Sequence, residues 1–189
     1  LLVLFRVSGR AMGRIRPMRA LHGCMGPWLL GALGSEGWVM PRLSESDWSL
    51  AGGEVFNLEF NDPTGEVKLV KVLGNFVSAG YYISTVFDVG SATTTYYQLS
   101  WQPSTQASST GVNSVRFQLA SSQSTSGPWE FVGPDGTTAS YYTSSETNIN
   151  TKHTNQRYIR YKLFLTTEDN SVTPRVSDIA ITYSSACLP

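Results

Sequence analysis

The chain has 189 residues, of which 15% are charged and 12% aromatic, and its 14 basic and 14 acidic side chains leave no formal net charge. This length suits one β-sandwich or barrel with a proper core. The charge balance lacks the basic excess by which phosphate contacts drive nucleic-acid affinity, so a nucleic-acid partner is set aside, and no apolar run of roughly 18 residues offers a stable membrane span.

Residues 1–46 read as an N-terminal extension. They carry Arg6, Arg10, Arg14, Arg16 and Arg19 among short apolar pieces, and their first acid is Glu36. The first reading is a disordered or non-native segment, in keeping with a start at Leu1. The second is a cleaved export signal over residues 12–34, with its apolar part interrupted by glycine and proline, and the third is a folded helix. Cys24 and Cys187 stand near opposite ends. They form one bridge or remain two free thiols, but do not make a disulfide framework.

From Asp47 the hydrophobic period becomes two, and residues 47–185 read as one domain. Phe56, Leu58 and Phe60 alternate with Asn57 and Glu59 in a half-buried strand. The cluster Asn61-Asp62-Pro63-Thr64-Gly65 predicts a turn, because proline fixes φ and glycine admits a positive one. In residues 66–72 the apolar phase slips from Val67 and Leu69 to Val70 and Val72, which predicts a bulge or burial on both faces. A strand over residues 81–89 follows and Gly90 ends it. In the next, Tyr97, Leu99 and Trp101 share the inward face, opposite Tyr96, Gln98 and Ser100.

Val115, Phe117 and Leu119 repeat the pattern, and residues 129–132 form a short strand closed by the turn Gly133-Pro134-Asp135-Gly136. In residues 157–167, Ile159, Tyr161, Leu163 and Leu165 alternate with Tyr158, Arg160, Lys162 and Phe164, and residues 176–184 close the domain. Turn signals every ten residues or so, with no helical-period window between them, predict an all-β antiparallel β-sandwich, jelly-roll-like, with an irregular N-terminal extension.

Candidate chemistry is sparse. The two histidines are His22 and His153, and no serine lies in a Gly-x-Ser-x-Gly elbow. Glu130, Asp135, Glu146 and Glu168 read as turn or solvent-facing acids rather than a catalytic carboxylate pair. The domain is therefore read as non-catalytic and without a cofactor. Calcium is the one cation its loops would suit, with Glu168, Asp169 and Asn170 as oxygen donors and Asp88 and Asp178 as strand-end contributors. The plainer reading of that cluster is a solvated turn.

The doublets Tyr81-Tyr82, Tyr96-Tyr97 and Tyr141-Tyr142 should each send one ring inward and one outward. Outward rings can stack on sugar faces. Tyr96 and Tyr142, with Trp129, are the candidate ligand-binding residues. The ordinary alternative is cross-strand aromatic pairing that stabilises the sheet.

Tyr82-Ile83-Ser84-Thr85-Val86-Phe87-Asp88-Val89-Gly90, Leu99-Ser100-Trp101, Val115-Arg116-Phe117-Gln118-Leu119 and Phe131-Val132-Gly133-Pro134-Asp135-Gly136-Thr137 occur in that order, followed by Arg157-Tyr158-Ile159-Arg160-Tyr161-Lys162. Together they resemble a β-sandwich module that recurs in large secreted or cell-surface proteins of bacteria, including pilin-like proteins. The resemblance implies an extracellular or cell-surface module acting in adhesion, surface assembly or as a spacer. Its alternatives are an accessory carbohydrate-binding module and the head domain of a pilin-like protein. The implied partners are a surface glycan or neighbouring domains of a larger surface protein. Serine- and threonine-rich connections and scarce lysine are in keeping with that location.

Overall fold

A computed structural model describes residues 42–45, 53–61 and 65–185, of which 42–45, 61 and 185 are described through their backbone. Their strands, in chain order, are β1 (Arg42–Glu45), β2 (Glu54–Phe56), β3 (Leu58–Asn61), β4 (Glu66–Leu69), β5 (Lys71–Val72), β6 (Asn75–Phe76), β7 (Ala79–Ile83), β8 (Phe87–Asp88), β9 (Thr94–Gln102), β10 (Val115–Ser122), β11 (Thr147–Asn148), β12 (Tyr158–Thr166), β13 (Arg175–Val176) and β14 (Asp178–Ser185). The front sheet has the order β1-β14-β9-β11, and the back sheet has the order β10-β12-β7-β2, with β8 also paired to β12. A small sheet, β13-β4-β3, and the hairpin β5-β6 complete the set, and every pairing is antiparallel.

From β9 onward the chain alternates between the two large sheets: β9 front, β10 back, β11 front, β12 back, and β14 front after β13. This alternation builds the expected sandwich, since each sheet must cover one apolar face with the other. The sheets meet through one core that joins Leu99, Trp101, Ile179 and Ile181 to Phe117, Leu119, Ile159, Tyr161, Leu163 and Leu165. Trp101 of the front sheet and Phe117 of the back sheet lie with ring centroids 4.8 Å apart. From Phe117 the aromatic chain runs to Tyr161 at 6.0 Å, Tyr82 at 5.9 Å and Phe60 at a further 5.9 Å, which ties the small sheet to the same core. Such pairs contribute about 0.5–1.5 kcal/mol each beyond their buried area.

β12 follows its sequence pattern throughout. Its apolar residues are buried and Tyr158, Arg160, Lys162, Phe164 and Thr166 are half-buried in strict alternation. Three other expectations require correction. Phe56, Leu58 and Phe60 do not share one strand, because Asn57 at φ 56° turns the chain from β2 in the back sheet to β3 in the small sheet. The phase slip at Val70 marks the end of β4 and the start of a separate hairpin. In β9, the partner of Thr182 is Gln98 whereas that of Tyr183 is Tyr96, so Tyr97 is the extra residue of a bulge. The bulge reverses the pleat, placing Tyr96 in the core and Tyr97 outside, at 37% exposure, while Leu99 and Trp101 keep their inward place.

The front sheet also takes in β1, whose residues fall within the stretch 1–46 assigned to the extension. Cys24, Cys187 and the 12–34 segment lie outside the described residues. Residues 129–132 form no extended strand. The connection between β10 and β11 touches β10 at two isolated bridges, Leu119 to Val132 and Phe117 to Tyr142. Gln118 secures the same connection by donating through Nε2 to the carbonyls of Thr138 (2.9 Å) and Ser140 (3.0 Å). The Gly133-Pro134-Asp135-Gly136 turn closes through Gly136 N–H to the Gly133 carbonyl at 3.0 Å. Asp135 Oδ1 accepts from the N–H and hydroxyl of Thr137 (2.8 Å each) and from the Ser140 hydroxyl. These bonds, the Ser140 one foremost, hold the Asp135 carboxyl below the usual carboxylate range. Among the described residues no helix is long and apolar enough to cross a membrane.

Candidate functional site

Register sets the composition of the outer face of the back sheet. Directly opposed residues in an antiparallel sheet share a face. Arg116 lies opposite Phe164, Phe164 opposite Tyr81 and Tyr81 opposite Phe56, a row across four strands. The next row runs from Gln118 through Lys162 and Ile83 to Glu54, and beyond it Ala120 pairs with Arg160. The intervening residues Phe117, Leu163 and Tyr82 point into the core, so these rows point away from it.

The rings and cations of this face are in contact. Phe56 and Tyr81 stack at 5.4 Å with planes 22° apart, and Tyr141 meets Phe164 edge-on at 5.4 Å. Lys162 Nζ lies 4.4 Å from the Tyr81 ring centroid and 5.0 Å from that of Phe164. The Arg116 guanidinium covers Tyr141 at 5.0 Å and that of Arg160 covers Trp129 at 5.6 Å. Such pairs are worth about 0.5–1 kcal/mol at exposed sites and hold flexible cationic side chains in place. Phe56 is 52% exposed, and Tyr81, Trp129, Tyr141 and Phe164 are half-buried.

Charge on this face is predominantly positive, three cations against the carboxylate of Glu54. Arg157, at its end, is neutralised by Asp88 through two bonds of 2.8 and 2.9 Å, which hold the Asp88 carboxyl below its ordinary value. Glu54 accepts the Tyr81 hydroxyl at 2.9 Å, which raises the phenol's pKa. Arg116, Arg160 and Lys162 form no ion pair with any described carboxylate. Arg160 donates through Nε to the Ser84 carbonyl at 2.8 Å, and Arg116 Nε is buried without a hydrogen-bond partner.

Of the three ring residues predicted from sequence, Trp129 belongs to this face, whereas Tyr96 and Tyr142 are corrected. Tyr96 is 4% exposed, donates its hydroxyl to the Gln156 carbonyl at 2.9 Å, and is pushed to a high pKa by burial. Tyr142 is fully buried, and its hydroxyl accepts the Asn150 N–H at 3.1 Å. The inversion at Tyr96 comes from the β9 bulge. That at Tyr142 comes from its bridge to Phe117, which turns Tyr141 outward. Phe56, Phe164, Arg116 and Lys162 were missing from the predicted set; the outward half of the 158–166 alternation signals Lys162 and Phe164, and the alternation of Arg116 with Val115 and Phe117 signals the third, while Phe56 had none.

Glu168, Asp169 and Asn170 each make separate contacts around the turn. The Glu168 side chain lies against Gly111, and Asp169 Oδ1 accepts the Ser171 hydroxyl (2.7 Å) and N–H (2.9 Å), which lowers its pKa. Asn170 engages through its backbone carbonyl, which accepts the Phe76 N–H at 2.7 Å. The three residues build a turn, and Asp88 is held by Arg157. Among the described residues no group of three or more His, Cys, Asp or Glu side chains is placed to hold a metal ion.

At the end of the core that Ser121 reaches, a cavity of about 180 Å³ is lined by Ser121, Pro128, Glu130, Lys152, His153 and Gln156. His153, from the 3-10 turn Thr151–His153, is 2% exposed, with Nδ1 2.8 Å from Ser121 Oγ. Burial, with Lys152 adding to it, lowers its pKa to about 4, so the ring is neutral at pH 7. A histidine-assisted serine nucleophile also needs a group that orients the base. Glu130 instead bonds Lys152 Nζ at 2.9 Å, and Nε2 of His153 is buried without a hydrogen-bond partner among the described residues. The arrangement is a serine–histidine pair, not a triad.

Comparison of the chain with protein-family models, curated proteins and solved structures finds no match in any of the three.

Proposed function

We propose that this domain is a non-catalytic module displayed at or outside the cell surface, and that it engages a glycan through the outer face of its back sheet, in adhesion or surface assembly. The observation that carries this reading is the cross-strand row Phe56, Tyr81 and Phe164, extended by Tyr141, whose rings stay partly exposed while the opposite side of the sheet supplies the core. Half-exposed aromatic rings with a few fixed polar groups at their edges suit sugar recognition. The motif resemblance and the serine- and threonine-rich connections support the extracellular setting. The same face would serve an accessory carbohydrate-binding domain of a longer secreted polypeptide.

The test is affinity electrophoresis of the full chain through gels containing neutral or acidic polysaccharides. Retardation by at least one polymer, reduced in Tyr81→Ala, supports the reading. Unimpeded migration through every polymer, or retardation that Tyr81→Ala leaves unchanged, refutes it.

A further inference from the structure

We infer that the polymer taken by this face is a carboxylated polysaccharide, with Arg116, Arg160 and Lys162 donating hydrogen bonds to its carboxylates; the inference rests on the proposed glycan-binding role of the same face. The first support is charge complementarity. The chain is neutral overall, yet these three cations share one sheet face. Of the nearest acids by register, Asp88 is paired with Arg157, and Glu54, which keeps its charge while accepting the Tyr81 hydroxyl, stands at the far edge of the sheet on β2 and leaves the face net positive. An electropositive strip of this kind has no partner within the described fold.

The second support is preorganisation. Arg116 rests on Tyr141, Arg160 on Trp129, and Lys162 between Tyr81 and Phe164. A cation held by ring contacts loses less side-chain entropy when an anion arrives, which favours affinity. Arg160 and Lys162 are two residues apart on β12, about 7 Å along the strand, and Arg116 is one strand over, next to Lys162 on the diagonal. Three donors in a short line fit successive charges of a linear chain better than one compact anion. Two of them are arginines, whose planar fork matches a carboxylate.

The ring faces also discriminate between polymers. Single-stranded nucleic acid gains much of its affinity from bases stacked on free aromatic faces. Here Lys162 is shared between Tyr81 and Phe164, and Arg116 lies over Tyr141, so a cation stands beside the rings that meet the ligand and less ring face is left for a base to stack on. A polyuronate, with one carboxylate per sugar, suits that surface.

The test uses the full chain with polygalacturonate, its carboxyl-reduced counterpart, a neutral glucan and oligothymidylate, with binding measured by calorimetry at low and high salt. We expect polygalacturonate to bind and the reduced polymer and glucan to bind at least tenfold more weakly. High salt should weaken the interaction. Lys162→Gln, at a half-exposed position, should lower affinity about tenfold, the loss of one charge-assisted hydrogen bond, while its unfolding midpoint stays near that of the parent. Arg160→Gln provides a second variant on the same strand. Equal binding of the reduced polymer or the glucan, lost in Tyr81→Ala, would overturn the inference and leave the glycan-binding reading intact. Oligothymidylate binding as tightly as polygalacturonate would overturn it in favour of a nucleic-acid ligand. No binding to any polysaccharide would remove both.

Discussion

His153 makes acid stability a sharp test of the packing at the Ser121 end of the core. Its imidazole is 2% exposed and its folded pKa is lowered to about 4, against about 6.5 in the unfolded chain. Above pH 6.5 both states hold the ring neutral and the group is silent. As pH falls from 6.5 towards 4 the unfolded chain takes up a proton that the folded protein refuses, so stability declines through that window and levels off below it. The gap of roughly 2.5 units corresponds to about 3 kcal/mol at about 1.4 kcal/mol per unit, a large part of the 5–15 kcal/mol typical of a domain. The lowered carboxyls of Asp88, Asp135 and Asp169 act elsewhere. Their contribution is present above the unfolded carboxylate value near 3.9 and is lost as pH falls through their lower folded values, below the histidine window. Urea unfolding of the parent and of His153→Gln, followed by tryptophan fluorescence at pH 7, 6, 5 and 4.5, separates the two. We expect the parent to lose most of the 3 kcal/mol across that series and the variant, which cannot titrate there, to lose little. An equal slope in both proteins would show that His153 is not held neutral by its surroundings.

The remaining expectations concern the core, a turn and the surface. Phe117→Ala removes the ring that joins Trp101 to Tyr161 in a fully buried position, and should cost about 3–5 kcal/mol in urea unfolding; a loss under 1 kcal/mol would mean the sheets do not close on this ring. Leu73 holds φ 50° beside Gly74 at φ 88° in the two-residue turn of the β5–β6 hairpin, with its side chain 98% exposed. Leu73→Asn gives up no burial and relieves an unfavourable backbone state, so it should raise stability by about 1 kcal/mol, measured by denaturant midpoint. Asp88→Asn breaks the bidentate pair with Arg157 at a site where both side chains are over 40% exposed, and should cost less than about 1 kcal/mol, with the difference shrinking in high salt.

Much of the architecture was legible because burial on one side of a sheet imprints a period of two, and β12, packed on one face along its whole length, displays it without a break. Failures occurred where a single residue changes the pleat without altering the apolar spacing. Asn57 takes a positive φ between Phe56 and Leu58, so two residues apparently in phase belong to different sheets. Tyr97 bulges out of β9, and the sequence Tyr96-Tyr97 looks the same whichever ring turns inward. The doublets did split as strand geometry demands. Tyr82, Tyr96 and Tyr142 went in, and Tyr81, Tyr97 and Tyr141 came out, but the choice within each pair is made by register, a non-local property.

The candidate face was hidden for the same reason. Its members Phe56, Tyr81, Lys162, Phe164, Arg116 and Tyr141 come from five separate segments, and only pairing of β2, β7, β12 and β10, with the bridge at Tyr142, brings them together. On β12 this gives each neighbouring residue a different role: Tyr161, Leu163 and Leu165 hold the sandwich together, while Arg160, Lys162 and Phe164 face outward. Substitutions at the first set should therefore lower stability whatever they do to binding, and Lys162→Gln should lower binding alone. A Lys162→Gln protein that unfolds as readily as a core variant would mean that the outer row supports the fold instead of a ligand.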